Sequence, residues 1–231
     1  MCEVINVMKR YELKYILNKE QTEYLIECLK GHMNVDEYGK TSIASLYYDT
    51  LNSRLIRESL EKPDFKEKVR LRSYGLNKPG KPVYLELKRK AFGIVYKRRV
   101  ETNPIAVEKF FNKETNELSE GQIAKEISYF RDYYEKLVPR CLIIYDRVAY
   151  YEPDGDLRLT IDYNPRYRTK DLNLSTSMDG ISLLDEGDTI LEIKVQDAIP
   201  LWLSSILDKG KIYKSSFSKY GEAYSRELIC R

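Results

Sequence analysis

A single histidine, His32, stands in 231 residues, and that scarcity removes a large part of enzyme chemistry. No multi-histidine metal centre can form, and a histidine-based triad could be built only around this one side chain. His32 falls in Lys30-Gly31-His32, at the end of a predicted helix, which reads as a surface position. Cysteine is sparse and scattered: Cys2, Cys28, Cys141 and Cys230 form no C-x-x-C pair and no zinc-type spacing. Such thiols suit a reducing, intracellular setting. No apolar run approaches the ~20 residues of a membrane span. Met1-Cys2-Glu3-Val4-Ile5-Asn6 has neither the basic leader nor the apolar stretch of a signal peptide. A cytoplasmic protein with no membrane span of its own is expected, and a membrane-anchored partner is left open. There is no internal repeat and no low-complexity tract. A large charge excess is missing too. The 39 basic residues face 36 acidic ones, for a net charge of +3. That is a weak footprint for a general nucleic-acid binder, so any anion specificity must come from position.

What the sequence does have is alternation. Arg10-Tyr11-Glu12-Leu13-Lys14-Tyr15, Lys68-Val69-Arg70-Leu71-Arg72, Tyr84-Leu85-Glu86-Leu87-Lys88, Leu157-Arg158-Leu159-Thr160-Ile161-Asp162 and Leu191-Glu192-Ile193-Lys194-Val195 interleave apolar and charged side chains. On a strand, successive side chains point to opposite faces. Each segment therefore presents one apolar face and one face of mixed cations and carboxylates.

Strands are predicted over residues 9–16, 42–48, 66–74, 83–90, 94–101, 141–150, 157–163 and 189–196. Helices are predicted from Asn18 to Gly31, with Asn18 and Gln21 as a capping box, and from Asp49-Thr50 to near Pro63. Further helices follow from Asn103-Pro104 and over 120–137, 200–207 and 216–228. Residues 170–188 read as a polar, mobile loop. With 42% hydrophobic and 32% charged residues the chain can bury a core and stay soluble, and its length suits one domain over residues 1–231. The fold class is α+β. Eight antiparallel strands suffice to close a small barrel. Helical stripes on its outside would cover the apolar parity, leaving the charged parity inside. Charges buried unpaired are prohibitively costly, so such an interior needs water, cross-barrel ion pairs or a charged ligand.

Face assignment by apolar parity gives an inward list. It holds Arg10, Glu12 and Lys14; Lys66, Lys68, Arg70 and Arg72; Glu86, Lys88 and Lys90; Lys97, Arg99 and Glu101; Arg158, Thr160 and Asp162; and Glu192, Lys194 and Gln196. Arg98 falls outside. Strand 42–48 is too apolar to orient, and Tyr145-Asp146-Arg147 is ambiguous. An antiparallel sheet with one solvated face gives the same alternation. Here, however, the polar parity is dominated by Arg, Lys and Glu, and like charges at i, i+2 repel unless anions lie between them. Arginine grips phosphate with a fork and lysine with a point charge. Carboxylates among such cations make sense if they hold Mg²⁺ or Mn²⁺, which prefer oxygen ligands. Neither a G-x-x-x-x-G-K-S/T loop nor a kinase-type glycine loop is present, so a nucleotide must be held by side chains on its phosphates.

The ordered set adds Ser45-Leu46-Tyr47-Tyr48-Asp49-Thr50, Lys97-Arg98-Arg99, Tyr145-Asp146-Arg147 and Ser216-Phe217-Ser218-Lys219-Tyr220 to the segments above. Together these resemble the VTC (vacuolar transporter chaperone) domain, the polyphosphate polymerase branch of the triphosphate tunnel metalloenzymes in the CYTH-like superfamily. The resemblance spans nearly the whole chain. It implies an eight-stranded antiparallel barrel, a triphosphate tunnel with a charged interior surrounded by helices, and Mn²⁺ or Mg²⁺ as cofactor. It also implies transfer of the γ-phosphoryl group of ATP to a growing inorganic polyphosphate chain. Carried over motif by motif, Lys14, Arg70, Arg72, Lys88, Lys97, Arg147, Arg158 and Lys219 would contact triphosphate or product. Glu192 would be the principal metal ligand, and Glu12 and Glu86 would ligate the metal or stand beside it. Parity adds Arg10, Arg99, Lys194 and Asp162. The inositol-phosphate-sensing domain and membrane segment of the family's eukaryotic forms have no counterpart in this sequence. A triphosphatase of the same fold, a non-catalytic poly-anion binder and an RNA binder are the competing readings. Glutamates interleaved with the cations count against RNA, and the tyrosines fall largely on apolar faces, where packing is their role.

Overall fold

The computed structural model describes residues 11–92, 94–116 and 118–229, without the side chain of Ile229. Arg10, Cys2 and Cys230 lie outside the described residues. The elements in chain order are β1 (Tyr11–Leu17), α1 (Lys19–Leu29), β2 (Asn34–Val35), β3 (Thr41–Asp49), α2 (Arg54–Leu60) and β4 (Phe65–Tyr74). Then come β5 (Val83–Ala91), β6 (Ile94–Thr102), α3 (Pro104–Phe111), α4 (Gln122–Tyr133), β7 (Val138–Tyr151) and β8 (Arg158–Arg168). The last five are β9 (Ile181–Ser182), β10 (Thr189–Val195), α5 (Leu201–Lys209), β11 (Lys214–Ser215) and α6 (Lys219–Ile229). The chain forms two compact units. One takes the residues up to Lys40 with Arg147–Tyr163 and Glu186–Phe217; the other takes Thr41–Asp146, Asn164–Asp185 and the residues from Ser218.

β1 pairs antiparallel with β10, β10 with β8, β3 with β4, β4 with β5 and β5 with β6. Their hydrogen-bonded order is β11-β1-β10-β8-β7-β3-β4-β5-β6, with β2 on β7 and β9 on β8. The expected eight-stranded barrel is not formed. The sheet has 11 strands and its path has two ends, β11 and β6. Among the described residues nothing pairs with the outer edge of β6, and β11 is a two-residue strand that meets β1 only at Lys14 and Tyr15.

In the first unit the order is β11-β1-β10-β8 and then the end of β7. Its core is made by the apolar parities of the strands: Tyr15 and Leu17 of β1, Leu159 and Ile161 of β8, Leu191, Ile193 and Val195 of β10. Leu25 and Leu29 of α1 and Leu203 and Leu207 of α5 cover them. The capping box at α1 is present: the Asn18 side chain accepts from Gln21 N at 2.8 Å, and the Gln21 side chain accepts from Asn18 N at 3.1 Å. Gln21 Nε2 also donates to the carbonyls of Gly210 and Lys211, which ties α1 to the end of α5. The single tryptophan, Trp202 on α5, lies flat against exposed His32, with ring centroids 4.2 Å apart and planes 4° from parallel.

In the second unit the order is the start of β7, then β3-β4-β5-β6. The second core joins Leu46 and Tyr48 of β3, Val69 and Leu71 of β4, Leu85 and Leu87 of β5, and Leu142 and Ile144 of β7. Phe110 of α3 and Ile127 and Phe130 of α4 cover it. The helix predicted over 120–137 is shorter, because Tyr134 caps α4 and Glu135 turns into the left-handed region at φ 58°. Asp49, fully buried at the end of β3, ties this unit together. Its carboxylate accepts from the backbone N–H groups of Leu55 and Ile56 at the start of α2 and from the Tyr220 hydroxyl of α6 at 3.0 Å. The stretch expected as a mobile loop is fastened instead. The Arg168 guanidinium donates to the carbonyls of Asp171, Asn173 and Ser177, while Leu174 and Leu183 are buried.

Candidate functional site: two charged sheet faces

The register of β4, β5 and β6 lays the polar parity out in rows across the second unit. One row runs Tyr47, Arg70, Glu86, Arg99; the next runs Lys68, Lys88, Lys97; another runs Ser45, Arg72, Tyr84, Glu101. This settles β3, whose sequence is too apolar to orient. Ala44, Leu46 and Tyr48 go to the core, and Ser45 and Tyr47 join the charged face. It also settles Tyr145: Leu142 and Ile144 are in the core, so Tyr145 takes the opposite parity, and its hydroxyl accepts from Arg72 at 3.2 Å.

Glu86 is the centre of this face. It is 1% exposed. Arg70 binds it through two nitrogens, at 2.9 and 2.8 Å, and Lys97 reaches its other oxygen at 2.8 Å. Arg72 stands at 3.6 Å and Arg99 at 3.8 Å. Burial alone would raise the Glu86 pKa, but Arg70, Arg72 and Lys97 outweigh it and hold it at about 2. Burial pulls the Lys97 ammonium below its ordinary value, with Glu86 opposing. Tyr47 hydroxyl accepts from Arg70 at 3.0 Å, and its ring stacks on Tyr220. Lys68 donates to Ser218 Oγ at 3.3 Å, and Lys219 sits 4.5 Å over the Tyr145 ring. Lys66, Lys68, Arg70, Arg72, Lys88, Lys90, Lys97 and Arg99 thus share a face with only two carboxylates of these strands, Glu86 and Glu101. Arg70 and Arg99 flank Glu86 in its row, and Arg72 and Lys97 reach it diagonally, so its carboxylate fixes the aim of these cations.

Arg98 points the other way. With Val100 on the core parity, it donates to Glu126 of α4 at 2.8 Å. Glu126 also takes Arg89, which pairs with Glu67, and Glu67 accepts from the Tyr134 hydroxyl at 3.0 Å. This helix-facing ion-pair chain fastens α4 to the sheet.

The first unit carries a second charged face. There the rows are Lys14, Glu192, Thr160 and Glu12, Lys194, Arg158. Lys194 binds Glu192 at 2.7 Å, and Lys14 lies 3.5 Å from Glu12. Burial would raise the Glu192 pKa, but Lys194, Arg147 and Lys14 together drive it far below the carboxylate range. Arg147 grips the fully buried Asp162 with two nitrogens, at 2.5 and 2.8 Å. Exposed Arg158 lies 5.3 Å over the Tyr151 ring. Thr160 Oγ1, next to Glu192 in its row, is buried with no hydrogen-bond partner among the described residues.

A hard divalent ion in phosphate chemistry needs only one or two carboxylates, with waters and phosphate oxygens filling the rest of its shell. Glu192, the diagonally placed Glu12 and the orphaned Thr160 hydroxyl fit that demand. Among the described residues no three His, Cys, Asp or Glu side chains cluster as a complete protein cage. The sequence reading missed Ser45, Tyr47 and the orientation of Tyr145. The available signal was their neighbourhood: a tyrosine laterally opposite an arginine on a polar parity.

No helix among the described residues is long and apolar enough to cross a membrane. No curated protein matches the chain. The fold resembles several solved structures. One is a putative adenylate cyclase from Vibrio parahaemolyticus, 10% identical, with a TM-score of 0.52, covering 94% of this chain and 98% of that one. Another is a putative adenylate cyclase from Bacillus halodurans, 15% identical, with a TM-score of 0.56, covering 91% and 96%. A third is the putative adenylyl cyclase HpAC1 from Hippeastrum, 18% identical, with a TM-score of 0.56, covering 93% and 94%; it is described as having a dominant triphosphatase activity. The family model of the VTC domain matches residues 9–227. With this match over nearly its whole length, the chain belongs to the VTC domain family.

Proposed function

We propose that the chain is an ATP-dependent polyphosphate polymerase. The VTC domain match supports a function on triphosphate or polyphosphate. The observation that carries the finer reading is the surplus of cations over carboxylates on the β4–β6 face. A chain of phosphates supplies negative charge along such a face, taken by arginine forks and lysine point charges.

In the reaction a terminal oxygen of polyphosphate attacks the γ-phosphorus of ATP. The bond from that phosphorus to the β,γ-bridging oxygen breaks, ADP leaves, and the polymer grows by one unit. Such transfer needs positioning and charge stabilisation more than covalent help, which a chain with one histidine can supply. On the second unit Arg70, Arg72, Lys88, Lys97, Arg99 and Lys219 hold phosphate oxygens, with Glu86 fixing the aim of the first two and of Lys97. On the first unit Lys14, Arg158 and Lys194 hold phosphate, and Arg147, braced by Asp162, directs its charge towards Glu192. Glu192, with Glu12, would hold Mn²⁺ or Mg²⁺, which when bound neutralises phosphate charge. The free thiols Cys28 and Cys141 suit a cytoplasmic setting.

Incubation with ATP and Mn²⁺, followed by gel analysis, tests the reading. A ladder of long polyphosphate is expected. Orthophosphate alone would move the chain to a triphosphatase, the second reading, favoured by the likeness to HpAC1. Face assignment makes a sharper comparison. Lys97→Ala should cut turnover by roughly a hundredfold, the scale of one lost charge-stabilising donor. Arg98→Ala should leave turnover within about twofold and lower stability by about 1 kcal/mol through the lost Glu126 contact. Equal losses of turnover in the two variants would refute the assignment.

A further inference from the structure

The second unit contains a cavity of about 420 Å³ that none of the cations of the β4–β6 face lines. It lies between the loop before α2, the start of β7, the segment after β8 and one flank of α6. Its volume falls within the roughly 300–1,000 Å³ of small-molecule sites. Arg140, Lys170, Glu227 and Tyr224 line it. Among the described residues the side chains of Lys170, Glu227 and Tyr224 enter no hydrogen bond or ion pair. Arg140 spends one guanidinium nitrogen on Ser53 Oγ, at 3.1 Å. Ser53 is held at φ 57°, a conformation that non-glycine residues rarely adopt, and its hydroxyl receives Arg140 instead of bonding the start of α2. Leu51 and Leu228, 61% and 53% exposed, form apolar parts of the wall.

These groups describe a ligand. Two cations ask for phosphate. A carboxylate beside them repels bare phosphate and asks for hydroxyl or amino donors. A tyrosine and two exposed leucines ask for a flat ring. We propose that this cavity binds a nucleoside phosphate, with its phosphate on Arg140 and Lys170, its sugar or base donors on Glu227, and its ring against Tyr224. The site is separate from the polymerase reading, since it uses none of the residues assigned to phosphoryl transfer. Because α6 also begins with Lys219, occupancy secures the helix that presents that lysine.

Calorimetric titration of the full chain with AMP, without divalent metal, tests the site; ribose 5-phosphate and inorganic phosphate are run in parallel. AMP should bind, and at least tenfold more tightly than either control. Affinity for AMP should fall at least tenfold in Glu227→Gln and in Lys170→Ala, and stay within about twofold in Lys88→Ala. Circular dichroism confirms folding of each variant, with Tyr224→Leu as a further cavity variant if one fails. No AMP binding by the wild-type chain overturns the proposal. So does binding lost in Lys88→Ala but kept in the cavity variants, which would assign AMP to the phosphate face.

Discussion

Glu86→Gln is expected to destabilise the chain by about 3 kcal/mol at neutral pH, the worth of a carboxylate pKa lowered from 4.5 to about 2. The variant keeps the shape of the side chain and leaves Arg70, Arg72, Lys97 and Arg99 with no anion among them. The sign follows from linkage. A carboxylate whose folded pKa is depressed contributes its stability fully above the unfolded pKa and loses it as pH falls through the folded one. Wild-type stability should therefore drop between about pH 4.5 and pH 2, and the variant should lack that part of the acid slope. Tripolyphosphate should raise the melting temperature of the variant more than that of the wild type, because the added anion takes over the role of the missing one. Chemical denaturation across pH, with and without tripolyphosphate, measures both. Equal acid slopes in the two proteins would show that the carboxylate is not the hub of this face.

Glu192→Gln is expected to cut metal-dependent turnover by roughly a thousandfold, the upper range for losing one preorganised electrostatic group. The change removes the carboxylate paired with Lys194 and influenced by Arg147 and Lys14. Mn²⁺ binding, followed by the electron paramagnetic resonance of the free ion, should weaken in parallel, whereas Lys14→Ala should reduce turnover and leave Mn²⁺ affinity intact or improved. A Glu192→Gln protein that binds Mn²⁺ as the wild type does would remove Glu192 from the metal. Because three cations, against the opposing effect of burial, hold Glu192 ionised far below neutral pH, its protonation should not set the acid limb of a pH–rate profile.

Parity made much of this legible in the sequence. Lys68, Arg70 and Arg72 alternate with Val69 and Leu71, and Glu86 and Lys88 with Leu85 and Leu87, so sorting them by face needed only the period of a strand. Parity fails where both faces are apolar or both polar. Strand β3 reads Ser-Leu-Tyr-Tyr with no contrast, and only its pairing with β4 shows that Tyr47 meets Arg70. It fails again where charge is buried in pairs: Glu67 and Arg89 sit on the helix-facing side because Glu126 and Tyr134 receive them. Closure is beyond it altogether. A count of strands says how many could form a cylinder, while the edges of β6 and β11 depend on which backbone groups meet. Asp49 read as the start of a helix, and its hydrogen bond to Tyr220, 171 residues away in sequence, carries no local signal. Nor does the cavity beside α6, assembled from four separate stretches of chain.

The flat pairing of Trp202 with His32 sets what optical experiments on this molecule can see. The lone indole belongs to the first unit, so emission excited at the red edge of the absorption band is a local reporter on α1 and α5. Loosening of the second unit, where Glu86 and the cavity lie, has to be followed through tyrosine or the far ultraviolet, and melting curves recorded by the two routes need not coincide.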